Sequence, residues 1–384
     1  MRKKVFLILI AGIFVFYQSL IAQSWEKTVR LTWNSSTSSN PKVATDLNDD
    51  IHIVWQDSYK IFYNRSTDDG VTWSGAKRLA WNLTKSYPPS IATDLNNHIH
   101  AVWYDWTPGN GEIYYNRSTN GGVNWIGAKR LTWSARSSYA PEIAVDSSGI
   151  IHIVWEEEDS FYPNNREIYY KRSTDGGATW SGTKRLTWSS SHSGWAAIAA
   201  DASGHIHVIW NSDLSGNYEI YVKKSTNGGI SWSGAKRLTW NTGESRQPAI
   251  ASDSSSNIHA VWYDWTPGNM EVYYKRSTNG GVSWSGTKRL TWNTSGSWRQ
   301  AVVIDQSNHI HVVWQDEISG NYEIYHRKST NGGVLWTGTK RLTWNSGGSF
   351  RPKIAANSIS DLHLVWEDYS PGNYEIFYKK GTQK

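Results

Sequence analysis

A pattern of the form Ile-His-x-Val-Trp returns seven times, two further tryptophan motifs keep step with it, and short strand-like segments fill the space between polar, glycine-rich turns. Together these predict an all-β chain, a seven-bladed β-propeller with four antiparallel strands per blade and the last blade closed by the N-terminal strand. The predicted organisation is a leader over 1–22 followed by one propeller domain over 23–384.

The leader comes first. Met1-Arg2-Lys3-Lys4 is a basic start, Val5 to Phe16 is an unbroken apolar run, and Ala22 before Gln23 is a plausible cleavage point. The sequence therefore predicts export, to the periplasm, the cell surface or the medium. The alternative is an uncleaved anchor, because Val5–Ala22 is close to the shortest stretch that spans a bilayer. After cleavage no membrane span is expected.

The repeat itself is read from its tryptophans. The first pattern ends at Trp55, Trp103, Trp155, Trp210, Trp262, Trp314 and Trp366, with gaps of 48, 52, 55, 52, 52 and 52 residues. A second, Ser-Thr-(Asp/Asn)-x-Gly-x-x-Trp, occurs six times between Trp73 and Trp336, and a third, Lys-Arg-Leu-(Thr/Ala)-Trp, six times between Trp81 and Trp344. The missing seventh copies lie at the other end of the chain. Trp25 and Arg30-Leu31-Thr32-Trp33 keep the spacing of Trp73 and Arg78-Leu79-Ala80-Trp81, so the N-terminal strand should complete the seventh blade and leave no free sheet edge. An open β-solenoid, the alternative, would not need that displaced strand. In the fifth unit the expected strands are 248–251, 258–263, 271–275 and 284–290, each rich in β-branched and aromatic residues.

Composition narrows the chemistry. The absence of cysteine excludes a disulfide framework, a thiolate zinc site and a cysteine nucleophile. Of the net charge of +6, three belong to Arg2, Lys3 and Lys4, so the mature chain carries too little charge to suggest a nucleic-acid partner. Seven histidines, from His52 to His363, sit one in each second strand, where a ring holds them apart; they read as packing and hydrogen-bonding residues. The recurring Glu of Glu-Ile-Tyr is expected to pair with the Arg of Lys-Arg-Leu on the next strand. Turns such as Asp46-Leu47-Asn48-Asp49-Asp50 read as Asx turns rather than calcium loops, since the full ligand set is missing. No cofactor and no metal are expected.

The second motif resembles the Asp box of sialidases and related propellers, known also as the BNR repeat. Its turn residues are Asp68, Asn120, Asp175, Asn227, Asn279 and Asn331. The resemblance covers nearly all of the mature chain and implies a structural role for these six. Phe350-Arg351-Pro352 is similar to that family's Phe/Tyr-Arg-x-Pro motif, which raises an exo-sialidase reading with an arginine clamp. Sialidases, however, have six blades and open on that motif, and the near-identical repeats offer no unique Tyr–Glu pair.

Tryptophan arithmetic gives the candidate site. Three per unit accounts for 21 of 25, read as packing between blades; the surplus is Trp106, Trp195, Trp265 and Trp298. All four fall in loops on the face opposite the Asp boxes, where Tyr87, Tyr139, Phe350, Arg246, Arg299 and Arg351 accompany them. Exposed rings beside polar groups suit a saccharide, the ring covering the pyranose C–H face. The chain therefore reads as an exported, non-catalytic, lectin-like protein with a glycan or glycoconjugate partner, similar to seven-bladed tryptophan-rich bacterial lectins. The alternatives are a sialidase-like hydrolase and a scaffold for a cell-surface protein.

Overall fold

The computed structural model describes residues 23–81, 85–158, 165–318 and 320–383; the predicted leader lies outside them. Among the described residues every regular element is a strand, and no helix is long and apolar enough to cross a membrane. The strands form seven separate antiparallel sheets. Blade one runs from an inner strand, Ser38–Thr45, through Ile51–Asp57 and Lys60–Ser66 to an outer strand, Lys77–Arg78. Blade seven is built from both ends of the domain. Ser349–Ala356, Leu362–Asp368 and Glu375–Gln383 are joined on the outside by Gln23–Trp25, opposite Gly381–Gln383, and by Val29–Arg30, opposite Phe377–Tyr378. The ring is closed as the displaced motifs require.

The outer strands are shorter than the sequence suggests. In blade five only Lys288–Arg289 pairs, not 284–290. The reason is Trp284, which leaves the ladder to pack on the preceding blade with Val222 and Leu238. The other strands of that blade are longer than expected, Ser245–Ser252 and Glu271–Ser277, because polar residues extend the pairing beyond the apolar run.

The three tryptophans of each unit have three different fates. The second-strand set, Trp55 to Trp366, is 0–2% exposed, and each ring stacks at 5.9–6.3 Å on the aromatic residue opposite it in the third strand, as Trp55 does on Phe62. The Asp-box set packs edge-on against the blade before, Trp125 on Tyr63 and Trp73 on Tyr378; Trp25 does the same to His326. The third set, Trp33 to Trp344, is 63–75% exposed. Reading all 21 as interblade packing is therefore wrong for seven of them. In those segments the leucine two residues earlier fills the core, Leu131 at 2% exposed, and the tryptophan beyond it is left outside.

A buried polar chain runs through most blades. The turn carboxylate caps its own Asx turn, Asp46 accepting the N–H of Asn48 and of Asp50. Its second oxygen faces the histidine Nε2, at 3.2 Å in blade one, and the histidine Nδ1 meets the hydroxyl of a third-strand tyrosine, His52 to Tyr63 at 2.8 Å. Blade three shows the chain fully bonded, His152 Nε2 lying 3.1 Å from Asp146 and Nδ1 2.7 Å from the Tyr170 hydroxyl, so that with the carboxylate ionised Nε2–H donates to it and Nδ1 accepts from the tyrosine. The tyrosine hydroxyl then touches the next blade's Asp-box glycine. A Cβ on Gly122, already at φ +84°, would stand 1.9 Å from Tyr63 Oη, so only glycine fits there. The Asp-box residues work as expected: in all six, the side-chain oxygen accepts the backbone N–H four residues on, at 2.8–2.9 Å. The Glu–Arg pairs also form, as Glu112 with Arg130 at 2.8 Å, in every blade but the first, where Lys60 replaces the glutamate.

Two outcomes follow from this construction. Removing residues 23–33 strips Leu31 and Trp25 from the core along with two paired strands; at about 2–5 kcal/mol for one buried leucine, the thermal midpoint should fall by roughly 10 °C or more. Unchanged melting of the truncated chain would refute the closure. Acid should also unfold the ring. Burial holds His100, His207, His311 and His363 below their ordinary value, His363 at about 4, so between about pH 6.5 and 4 the unfolded chain binds more protons and stability falls with pH. His363 alone contributes on the order of 3 kcal/mol. A melting temperature that is flat from pH 7 to 4 would count against the buried chain.

Candidate functional site

The seven inner strands meet around the axis, and six of them begin with the same backbone device. In six blades a non-glycine residue adopts the left-handed conformation, φ 45–56°, at Asn40, Ala140, Trp195, Gln247, Arg299 and Arg351, and a bulge interrupts the register just after it. Blade two has Pro88 there, whose ring forbids positive φ, and its inner strand starts only at Ser90. The strained backbone is held by the neighbouring blade. The Asn40 N–H donates to Glu367 at 2.8 Å, Trp195 N–H to Glu156 at 2.6 Å, Gln247 N–H to Asn211 at 3.1 Å and Arg351 N–H to Gln315 at 2.9 Å. The acceptor is each time the residue after the buried second-strand tryptophan.

The bulges open an axial cavity of about 790 Å³ on the face opposite the Asp boxes. Two residues beyond the left-handed position, each strand turns a side chain onto the axis. In blades four to six these are Ala197, Ala249 and Ala301; in the others they are Lys353, Lys42, Ser90 and Glu142. Three alanines provide room, and the polar four provide chemistry on one side. Lys42 pairs with Glu142, which also accepts the Ser90 hydroxyl at 2.8 Å.

The charges do not cancel. Arg351 pairs with Glu367, and Arg166 with Glu156 at 3.0 Å. Among the described residues no carboxylate pairs with Arg299 or Lys353. The Arg299 guanidinium lies 5.1 Å from the Trp195 ring and 5.4 Å from that of Trp298, and burial, with Arg351 nearby, lowers its pKa to about 10. Burial and the approach of Lys42 bring Lys353 down to about 7. Two uncompensated cations thus face a cavity walled by Tyr87, Tyr104 and Tyr139, of which Tyr87 and Tyr104 stack at 4.9 Å.

The predicted site residues divide into two groups. Tyr87, Tyr139, Trp195, Arg299 and Arg351 line the cavity. The other five stand outside its wall. Trp298 lies against Arg299 and Tyr322; Phe350 is wedged between Tyr322 and Tyr374; Arg246 pairs with Glu244 and lies 3.7 Å over Tyr218. Trp106 touches Tyr139 at a centroid distance of 6.2 Å, and Trp265 is 42% exposed on its loop. Lys42, Glu142 and Lys353 were missed, although one comparison reveals them: the same repeat position reads Lys, Ser, Glu, Ala, Ala, Ala, Lys around the ring. A Tyr–Glu pair, not expected from the repeats, is present beside the cavity, Tyr139 Oη donating to Glu158 at 2.6 Å. Burial and this bond raise the phenol pKa, so it stays protonated.

Asp305, His309 and His311 are close enough together to share a metal ion. Asp305 already accepts from both imidazoles, at 3.0 and 3.1 Å, and from Gln383, and the Asp-His-His arrangement recurs in blade two as Asp94, His98 and His100. Its parts are satisfied as hydrogen-bonding structure.

Loop and core tryptophans should separate in a melt. Trp262→Ala removes a ring that is fully buried and should cost about 3–5 kcal/mol, whereas Trp265→Ala should cost less than about 1 kcal/mol. Equal losses would make Trp265 a packing residue.

Residues 15–189 match the sequence profile described as "BNR repeat-containing family member". No curated protein matches the chain. Among solved structures, a protein of unknown function from Dyadobacter fermentans is similar with a TM-score of 0.61 at 13% identity, covering 94% of this chain and 99% of that one. An ulvan lyase of polysaccharide lyase family PL25, bound to -[GlcA(1-4)Rha3S]-, gives 0.65 at 11%, covering 92% and 95%. The Hadza microbial sialidase Hz136 gives 0.56 at 13%, covering 86% and 73%. At these identities the likeness is one of fold. Seven closed blades make this chain a seven-bladed β-propeller, and its six Asp boxes and the profile match over residues 15–189 make it similar to the BNR repeat-containing family.

Proposed function

We propose that this propeller is a non-catalytic carbohydrate-binding protein, exported by its leader, whose axial cavity takes an acidic saccharide. The observation that carries this reading is the pair of cations, Arg299 and Lys353, which have no ion-pair partner among the described residues, in a cavity walled by tyrosines and Trp195. An aromatic wall covers the apolar face of a pyranose, and a carboxylate or sulfate on the same sugar supplies the missing counter-charge. Two structural neighbours lend support, a sialidase and an ulvan lyase bound to -[GlcA(1-4)Rha3S]-.

Hydrolysis is the second reading, favoured by one observation, the Tyr139–Glu158 pair beside the cavity. Its test is turnover of a fluorogenic sialoside by the mature chain and by Tyr139→Phe. A rate that disappears in the variant would replace binding by catalysis. A protein partner is the third reading, and a glycan array without any hit would bring it forward.

Binding should depend on charge and on pH. Lys353→Ala or Arg299→Ala should weaken an acidic oligosaccharide by roughly tenfold or more and leave a neutral one unchanged, since each charge-assisted contact is worth about 1.5–3 kcal/mol. Lys353 carries its charge below about pH 7 and loses it above, so affinity should fall between pH 6 and 8.5. Calorimetric titration at the two pH values checks both. Equal affinity for acidic and neutral sugars would refute the assignment of the cavity.

A further inference from the structure

The seven tryptophans that close the Lys-Arg-Leu-Thr-Trp motif are the largest exposed apolar groups on the protein, and nothing in the core needs them. Each lies in the groove between the outer edge of its blade and the third strand of the next. Trp133, Trp188, Trp240, Trp292 and Trp344 have a cation from that next strand 5.4–6.0 Å from the ring centroid: Lys171, Lys223, Lys275, Arg327 and Lys379 in turn. Each of these cations donates to the carbonyl of the buried leucine of the same motif, as Lys171 does to Leu131 at 2.8 Å, and among the described residues none has a carboxylate partner. The arginine on the tryptophan's own strand is also near, Arg130 at 5.6 Å from Trp133, but its charge is balanced by the neighbouring glutamate. At the remaining two grooves, beside Trp33 and Trp81, the next blade carries Asn64 and Asn116 instead, and Asn116 makes the same bond to a leucine carbonyl.

We propose that these grooves form a second binding array, a ring of interblade sites in which the exposed indole stacks on a sugar residue of an acidic polysaccharide. It lies outside the axial cavity and does not depend on it. Three features select this ligand. An indole held by a cation on a rigid strand presents a flat apolar face without needing to be ordered on binding. One unbalanced positive charge per groove, five times around the ring, complements a polymer with repeated negative charge despite the modest charge of the whole chain. The loop beside each ring is polar, as with Asn241, Asn293 and Asn345, which suits hydroxyl groups rather than acyl chains. Spacing one site per blade makes the array multivalent, so weak single contacts combine into strong attachment.

The test uses immobilised polygalacturonate as the acidic polymer, dextran as the neutral one, and vesicles of phosphatidylcholine with phosphatidylserine as the competing anionic surface. The mature chain should bind polygalacturonate above dextran and vesicles, and soluble polygalacturonate should shield tryptophan fluorescence from acrylamide quenching. The variant Trp133→Ala/Trp240→Ala/Trp344→Ala should bind the polymer at least about tenfold more weakly, with its melting midpoint within a few degrees of the parent. Trp33→Ala/Trp81→Ala, at the sites without the extra cation, should lose less. A short acidic oligosaccharide read by calorimetry should bind the triple variant normally but not Lys353→Ala, so failure of the rim and failure of the axial cavity give different results. The proposal falls if the triple variant holds the polymer like the parent, or if quenching is unaltered by polymer in the unmutated chain. Binding to vesicles in preference to polygalacturonate would equally overturn it and make the rim a membrane-facing belt.

Discussion

The ring depends on one tyrosine hydroxyl in each of five blades. Tyr63 Oη ends the buried chain that starts at Asp46 and passes through His52, and it meets the Asp-box glycine of the next blade so closely that no side chain fits between them. The same contact fixes three things together: the turn at one end of the blade, the register of its second and third strands, and the distance to its neighbour. Trp125 then closes over the tyrosine edge-on at 5.0 Å. Two blades show what happens when the tyrosine is absent. Blade four has Val222, and His207 Nδ1 is left without a partner while Gly281 approaches the imidazole itself. Blade six has His326, which takes the hydroxyl's place at 3.1 Å from His311 and is covered by Trp25, the ring supplied from the start of the domain.

Because the blade contacts are so nearly identical, the differences between blades are concentrated where packing does not constrain them. At the axis one position varies from alanine to lysine to glutamate, and this variation alone turns a symmetric channel into a cavity with a charged side and an open side. At the outer edge the third-strand position beneath the exposed tryptophan varies only between a cation and asparagine. A ligand at the axis meets one asymmetric site; a ligand at the edge meets a repeated one. The fold by itself does not set an activity, since its structural neighbours include both a sialidase and an ulvan lyase.

The left-handed residues at the start of the inner strands connect the two levels. Six non-glycine residues in that conformation carry a strain of about 1–3 kcal/mol each, which persists only because the surroundings enforce it. For four of the six the enforcing group is a side chain after the second-strand tryptophan of the preceding blade, as Glu156 is for Trp195. The same acidic groups also neutralise cations at the mouth, Glu156 with Arg166 and Glu367 with Arg351. Glu156 and Glu367 are thereby paired, Lys42 takes Glu142, and among the described residues Arg299 and Lys353 have no ion-pair partner.

The sequence by itself determined the number of blades, the closure by the N-terminal strand, the faces on which loops emerge, and the structural roles of the Asp boxes, the second-strand histidines and the Glu–Arg pairs. Those features are repeated, and repetition makes a local physical requirement visible as spacing. Half of the candidate site was legible in the same way, since Trp195, Arg299 and Arg351 depart from the repeat where the strands begin. What the tertiary structure decided is which departures converge. Trp106, Trp265 and Phe350 are as unusual in sequence as Trp195, yet they stand outside the cavity: Trp106 and Trp265 begin the loops after the second strands, and Phe350 precedes the left-handed residue of its bulge. Lys42, Glu142 and Lys353 come from three blades and meet only when the ring closes. The exposed edge tryptophans were hidden by the regularity that revealed the fold: a residue repeated seven times reads as core, and only the finished packing, with the leucine already filling the interior, shows that the indole remains outside.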